Sequence, residues 1–101
     1  MSASLFAAVL ILAQLSTAED ADLDGRLKAA PSDVRSFVAR RADCDHWTGE
    51  EPYDAERRAE IEAAIADLRC ARIEQDEAVL RAHYRERPDI LQLLDELAEA
   101  F

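Results

Sequence analysis

The chain has 101 residues, with 22 acidic against 12 basic side chains and a formal net charge of −10. That length bounds it to one domain. The acidic balance excludes a nucleic-acid-binding surface, which needs basic residues to meet phosphates. Four acids, Glu19, Asp20, Asp22 and Asp24, precede Gly25, and four more, Asp89, Asp95, Glu96 and Glu99, follow Pro88. The stretch between is therefore close to neutral, and the acidic ends suit either solubility or a cationic partner.

Residues 1–18 carry no charged side chain. An apolar run from Leu5 to Leu15 is followed by Ser16-Thr17-Ala18, the pattern of a signal-peptide core and cleavage site, although Lys and Arg are missing before it. The run is shorter than the roughly 20 residues a membrane span needs. Cleavage after Ala18 leaves 83 residues, a size at which one core is marginal and a covalent staple helps. Two cysteines in such an exported chain read as a disulfide, Cys44 with Cys70. The expected location is the periplasm or the exterior, with no stable membrane span in the mature protein.

Residues 19–30 are polar, acidic and without a sustained apolar period, which predicts a flexible lead-in. Residues 31–101 predict a helical domain. Helix A starts near Pro31 and carries Val34, Phe37, Val38 and Ala42 on one stripe, ending around Asp43 to Cys44. Helix B runs from Pro52–Asp54 to about Arg69, and Thr48 with Glu51 fits a capping box before it. Ile61, Ala64, Ile65 and Leu68 gather on one face of helix B, and Ala59, Ala63 and Ala66 on nearly the opposite one. That pattern predicts a helix covered on both sides, at the centre of the fold. The break before helix C falls near Cys70 to Gln75, and helix C reaches about Glu86. Pro88 opens helix D, whose core face is Ile90, Leu94, Leu97 and Phe101, widened by Leu91 and Leu93. The fold class is all-α, a small domain of three to four helices with one disulfide; no strand pattern occurs.

Cys44 to Tyr53 interrupts this helical text and concentrates its rare residues, including the single tryptophan, Trp47. If helix B holds Cys70 at its far end, a disulfide requires the segment Asp45–Glu51 to run extended along helix B. The strip of Ala59, Ala63 and Ala66 would admit that close approach, with Trp47 near Ala63. The same region offers Cys44, His46, Cys70 and His83 as zinc ligand types, although their spacing matches no established site. Asp45 beside His46 suggests a base with its orienter, but neighbours in an extended segment point apart. No serine, free thiol or phosphate loop lies near, so no catalytic residue and no cofactor are assigned. Trp47 and Tyr53 either pack on helix B or anchor an interface. With Asp45, His46 and Glu50 they form the candidate binding set.

The run Cys44-Asp45-His46-Trp47-x-Gly49-Glu50, a second cysteine at Cys70 and a later Leu80-x3-Tyr84 resemble a family of small exported proteins of Gram-negative bacteria without an assigned activity. The resemblance covers roughly residues 37–94 and implies an exported helical domain with one disulfide. The chain is also faintly similar to periplasmic lysozyme inhibitors of the LprI type, whose Leu-Asn-x2-Tyr signature it does not reproduce. The functional expectation is an exported, non-enzymatic binding module with a protein partner, cationic if the acidic ends engage it. The alternatives are an inhibitor of a cationic envelope enzyme such as lysozyme and, from another class, a zinc-binding protein.

Overall fold

The computed structural model describes residues 18–100; the apolar run Leu5–Leu15 and Phe101, expected in the signal peptide and the core, lie outside them. Among the described residues the protein is all-helical, with five α-helices and one disulfide. These are α1 (residues 18–29), α2 (Ser32–Thr48), α3 (Ala55–Asp67), α4 (Ile73–His83) and α5 (Pro88–Ala100), with a 3-10 turn at Cys70–Arg72 before α4. None of the described helices is long and apolar enough to cross a membrane.

The core is built on the apolar faces of α5 and α2. On α5, Ile90, Leu93, Leu94 and Leu97 recur at i, i+3, i+4 and i+7 and are all buried, the repeat that turns one helical face inward. On α2, Val34, Phe37 and Val38 meet them, and Val34 is fully buried. Leu80 of α4 completes this cluster, with Ile73 and Tyr84 packed at its margin. An ionic chain runs along the same three helices. Arg41 of α2 pairs with Glu77 of α4, Glu77 with Arg81 at 3.0 Å, and Arg81 with Asp95 of α5 at 2.8 Å.

Residues 18–29 are helix rather than the expected flexible lead-in. Their apolar content is small but well spaced: Leu23 and Leu27, four residues apart, pack against the core, and Ala30 is buried behind them. Asp22–Arg26 and Asp24–Lys28 add ion pairs at i, i+4, at 3.4 and 2.9 Å, solvent-exposed pairs that support the helix only weakly. Arg26 also pairs with Glu96 of α5 at 2.6 Å. Tertiary burial of two leucines thus offsets a weak local signal.

Helix B of the sequence, α3, is not the centre of the fold. Ile61 is buried, Ala64, Ile65 and Leu68 are half-buried, and Ala59, Ala63 and Ala66 face solvent. Covering both faces needs a further layer, and the other helices are committed to the cluster between α2 and α5. The exposed alanines serve instead as the best intrinsic helix formers. The break after α3 comes at Leu68–Arg69, slightly before the expected Cys70–Gln75, and it has no glycine. Arg69 takes the left-handed conformation at φ 53°, which costs a residue with a side chain about 1–2 kcal/mol. Arg40 of α2 compensates: its Nε donates to the Leu68 carbonyl at 2.6 Å and its Nη2 to the Arg69 carbonyl at 2.9 Å. The carbonyl of Leu68, the C-cap of α3, and that of Arg69 just beyond it thus meet a cation from 28 and 29 residues upstream.

Candidate functional site

The cysteines are joined, Cys44 to Cys70, with their Cα atoms 5.6 Å apart. The path between them is not the expected one. Asp45 to Thr48 form the last turn of α2 instead of an extended strap, and Trp47 lies under Arg57 of α3. An extended strap is required only if α2 ends at Cys44. With α2 continued to Thr48, the seven steps from Thr48 to Ala55 can still span about 24 Å. That exceeds the roughly 20 Å length of a 13-residue helix, so the chain returns along α3 without unwinding residues 45–48.

The end of α2 and the start of α3 therefore form an elbow, residues 49–54, closed by local contacts. Thr48 Oγ1 donates to the Cys44 carbonyl at 2.8 Å, so it ends α2 instead of capping α3. The cap of α3 is Asp54, whose carboxylate accepts from the Arg57 backbone N–H at 2.7 Å; Pro52 thus falls outside the helix, where its ring is harmless. Gly49 passes close over the Asp45 carbonyl. A Cβ there would stand 3.2 Å from that oxygen, and because the oxygen belongs to the helix backbone it cannot readily withdraw.

Of the candidate binding residues, His46, Trp47 and Glu50 come together. Arg57 of α3 joins them, a residue whose role no spacing in the sequence announces. Its Nη2 donates to Glu50 Oε2 at 2.6 Å, its Nη1 to Glu60 at 2.9 Å, and its guanidinium lies 5.1 Å from the centre of the Trp47 ring. The hydrogen bond that Arg57 donates to Glu50, then that to Glu60, raises its pKa above its already high ordinary value. Its positive charge is thus fixed at any physiological pH. His46 packs edge-on to Trp47, with ring centres 5.6 Å apart, and its Nε2 lies 3.5 Å from Glu50 Oε1. Trp47 is half-buried, its ring covered by Arg57 instead of by the alanine strip. Asp45 is exposed on the outer side of the turn, and Tyr53, at the tip of the elbow, is 82% exposed.

The set Cys44, His46, Cys70 and His83 does not make a zinc site. Both sulfurs are spent in the disulfide, which leaves no thiolate to coordinate a metal. Among the described residues no three His, Cys, Asp or Glu side chains come together to hold one. His83 belongs elsewhere, edge-on to Tyr84 at the end of α4, where the Tyr84 hydroxyl donates to Asp33.

The elbow is what these residues build: an aromatic tip on an acidic support cross-tied by Arg57. Glu51, Asp54 and Glu56 surround Tyr53 in sequence, all exposed, with Arg58 the nearest exposed base. In comparison with known proteins, no family model, no curated protein and no solved structure matches the chain.

Proposed function

We propose that the protein is an exported, non-enzymatic binding module whose α2–α3 elbow engages a cationic protein partner. The observation that carries this reading is Tyr53, a large aromatic side chain 82% exposed at the tip of an elbow held rigid from both sides. The disulfide ties its base, and the Glu50–Arg57–Trp47 cluster ties its two arms. An exposed tyrosine on a preorganised support suits an interface anchor, because little freedom is lost when it is buried. The acids around it favour a partner of opposite charge and speed its approach. A disulfide in so small a chain supports an oxidising compartment, in keeping with the signal-peptide pattern at residues 1–18 and the resemblance to small exported proteins.

The test is capture from an envelope fraction by immobilised protein, alongside Tyr53→Ala and the charge reversal Glu51→Lys. A cationic protein retained by the natural sequence should be lost with Tyr53→Ala and weakened, more so at low salt, with Glu51→Lys. Retention that is indifferent to both substitutions would remove the elbow from the interaction. If the captured protein is a cationic envelope enzyme and its activity falls in the complex, the narrower inhibitor reading holds.

A further inference from the structure

The second surface with the makings of a binding site lies on the other side of α2, away from the elbow, and is independent of the reading above. α1 and α2 diverge from the corner at Ala30 and Pro31, and the end of α5 closes the floor between them. The groove so formed has a volume of about 530 Å3, within the range of roughly 300–1,000 Å3 typical of small-molecule sites. Its cause is a mismatch of side-chain size. α1 offers Leu23 and Leu27, but α2 answers them with Ala39 and Ala42, too small to fill the space above Val38 and Leu97, which form its floor while remaining only 5% and 8% exposed.

The polar groups along this groove are unevenly placed. Lys28 of α1 and Arg35 of α2 line it within four residues of the corner, so both cations stand at its closed end. No ion pair among the described residues engages Arg35. Lys28 is 2.9 Å from Asp24, but both side chains are largely exposed, and such pairs exchange partners at little cost. The remaining acid, Asp20, lines the open end about 12 Å from Lys28 along the helix, beyond the screening length of about 8 Å at physiological salt. The closed end is thus locally cationic in a protein whose net charge is strongly negative, and the walls running from it to the open end are apolar.

We infer that this groove binds a single-chain amphiphile with an anionic head group, the head at Lys28 and Arg35 and the alkyl chain along Leu23, Leu27, Val38 and Leu97. The apolar walls supply affinity through burial of the chain, and the cations at the closed end set its direction. A cationic head at the closed end would meet Lys28 and Arg35 with only Asp24 to offset them, or the chain would have to reverse towards Asp20.

Titration calorimetry of the full chain with dodecanoate, and with dodecyltrimethylammonium as the probe of opposite head charge, tests this below the micelle concentration of each. Dodecanoate should bind saturably, one per chain, at least tenfold more tightly than the cationic amphiphile. Arg35→Ala should weaken dodecanoate about tenfold. Ala39→Trp, at an exposed position that tolerates bulk, should abolish binding by filling the groove, while Tyr53→Ala on the elbow should change nothing. Absence of saturable binding, equal or stronger binding of the cationic amphiphile, or binding unaffected by Ala39→Trp would each overturn the assignment. So would dodecanoate binding that appears only when Phe101 is removed, because the groove would then be filled by the chain itself.

Discussion

Tyr84 donates its phenolic hydrogen to Asp33 Oδ1 at 2.6 Å, joining the end of α4 to the first turn of α2 across 51 residues of sequence. The same oxygen accepts from the Val34 backbone N–H at 2.9 Å, so one carboxylate serves both the start of α2 and its contact with α4. The Tyr84 hydroxyl holds the Asp33 pKa below its ordinary value, and Asp33 in turn raises that of Tyr84. The sign of the pH dependence follows. The depressed Asp33 contributes stability present above its unfolded pKa of about 3.9, and lost as pH falls through its lower folded value. The raised Tyr84 contributes stability present below about pH 10, and lost as pH rises through its higher folded value. Tyr84→Phe keeps the ring against the core and removes the bond. Its deficit in urea midpoint should be largest near neutrality and shrink at both extremes. A deficit constant with pH would show that the hydrogen bond is not its source.

The capping of α3 by Arg40 predicts a large effect from one partly exposed side chain. Arg40→Ala should cost about 1–3 kcal/mol, since two carbonyls lose a charged donor and Arg69 loses the support for its left-handed backbone. Arg72→Ala, whose side chain is exposed and stands 4.0 Å from Asp76, should stay within about 0.5 kcal/mol. Chemical denaturation of the two variants side by side makes the comparison. Equal costs would mean that Arg40 does not hold the break in place.

Burial separates the core helices from α3. Leu94→Ala, at 3% exposure, should cost about 2–5 kcal/mol by removing buried carbon and leaving a cavity. Leu68→Ala, only half-buried, should cost below about 2 kcal/mol. Ala63→Leu, on the solvent face of α3, should be neutral within about 0.5 kcal/mol. A cost of several kcal/mol at Ala63 would restore the strap along the alanine face.

Reduction should act on α3 before it acts on the core. The bond links residues 26 apart, a loop whose closure is worth about 3–4 kcal/mol in the chain-entropy account. Neither cysteine belongs to the buried cluster of α2, α4 and α5. Reduction should therefore lower the unfolding midpoint while leaving most of the helical circular dichroism at low denaturant. The emission of Trp47 should shift as Arg57 moves away with α3. Unchanged emission would show that α3 stays docked through the Arg40 contacts alone.

How much of this was legible beforehand depended on the range of the interactions involved. The buried faces of α2 and α5 followed from 3.6-residue periodicity, because Val34, Phe37 and Val38, and Ile90, Leu94 and Leu97, point the same way wherever the helices lie. Pro88 marked the start of α5 for a local steric reason. Composition alone singled out Cys44 and Cys70 as the one possible pair. Periodicity could not say which faces would find a partner. It overrated α3, whose alanines remain in water, and it underrated α1, where Leu23 and Leu27 reach a surface made by other helices. Tertiary structure also decided the break after α3 and the make-up of the elbow. Arg40 reaches the carbonyls of residues 68 and 69 from another helix, and Arg57 reaches Trp47 only after the chain reverses. Such long side chains act at distances in sequence that no local pattern records.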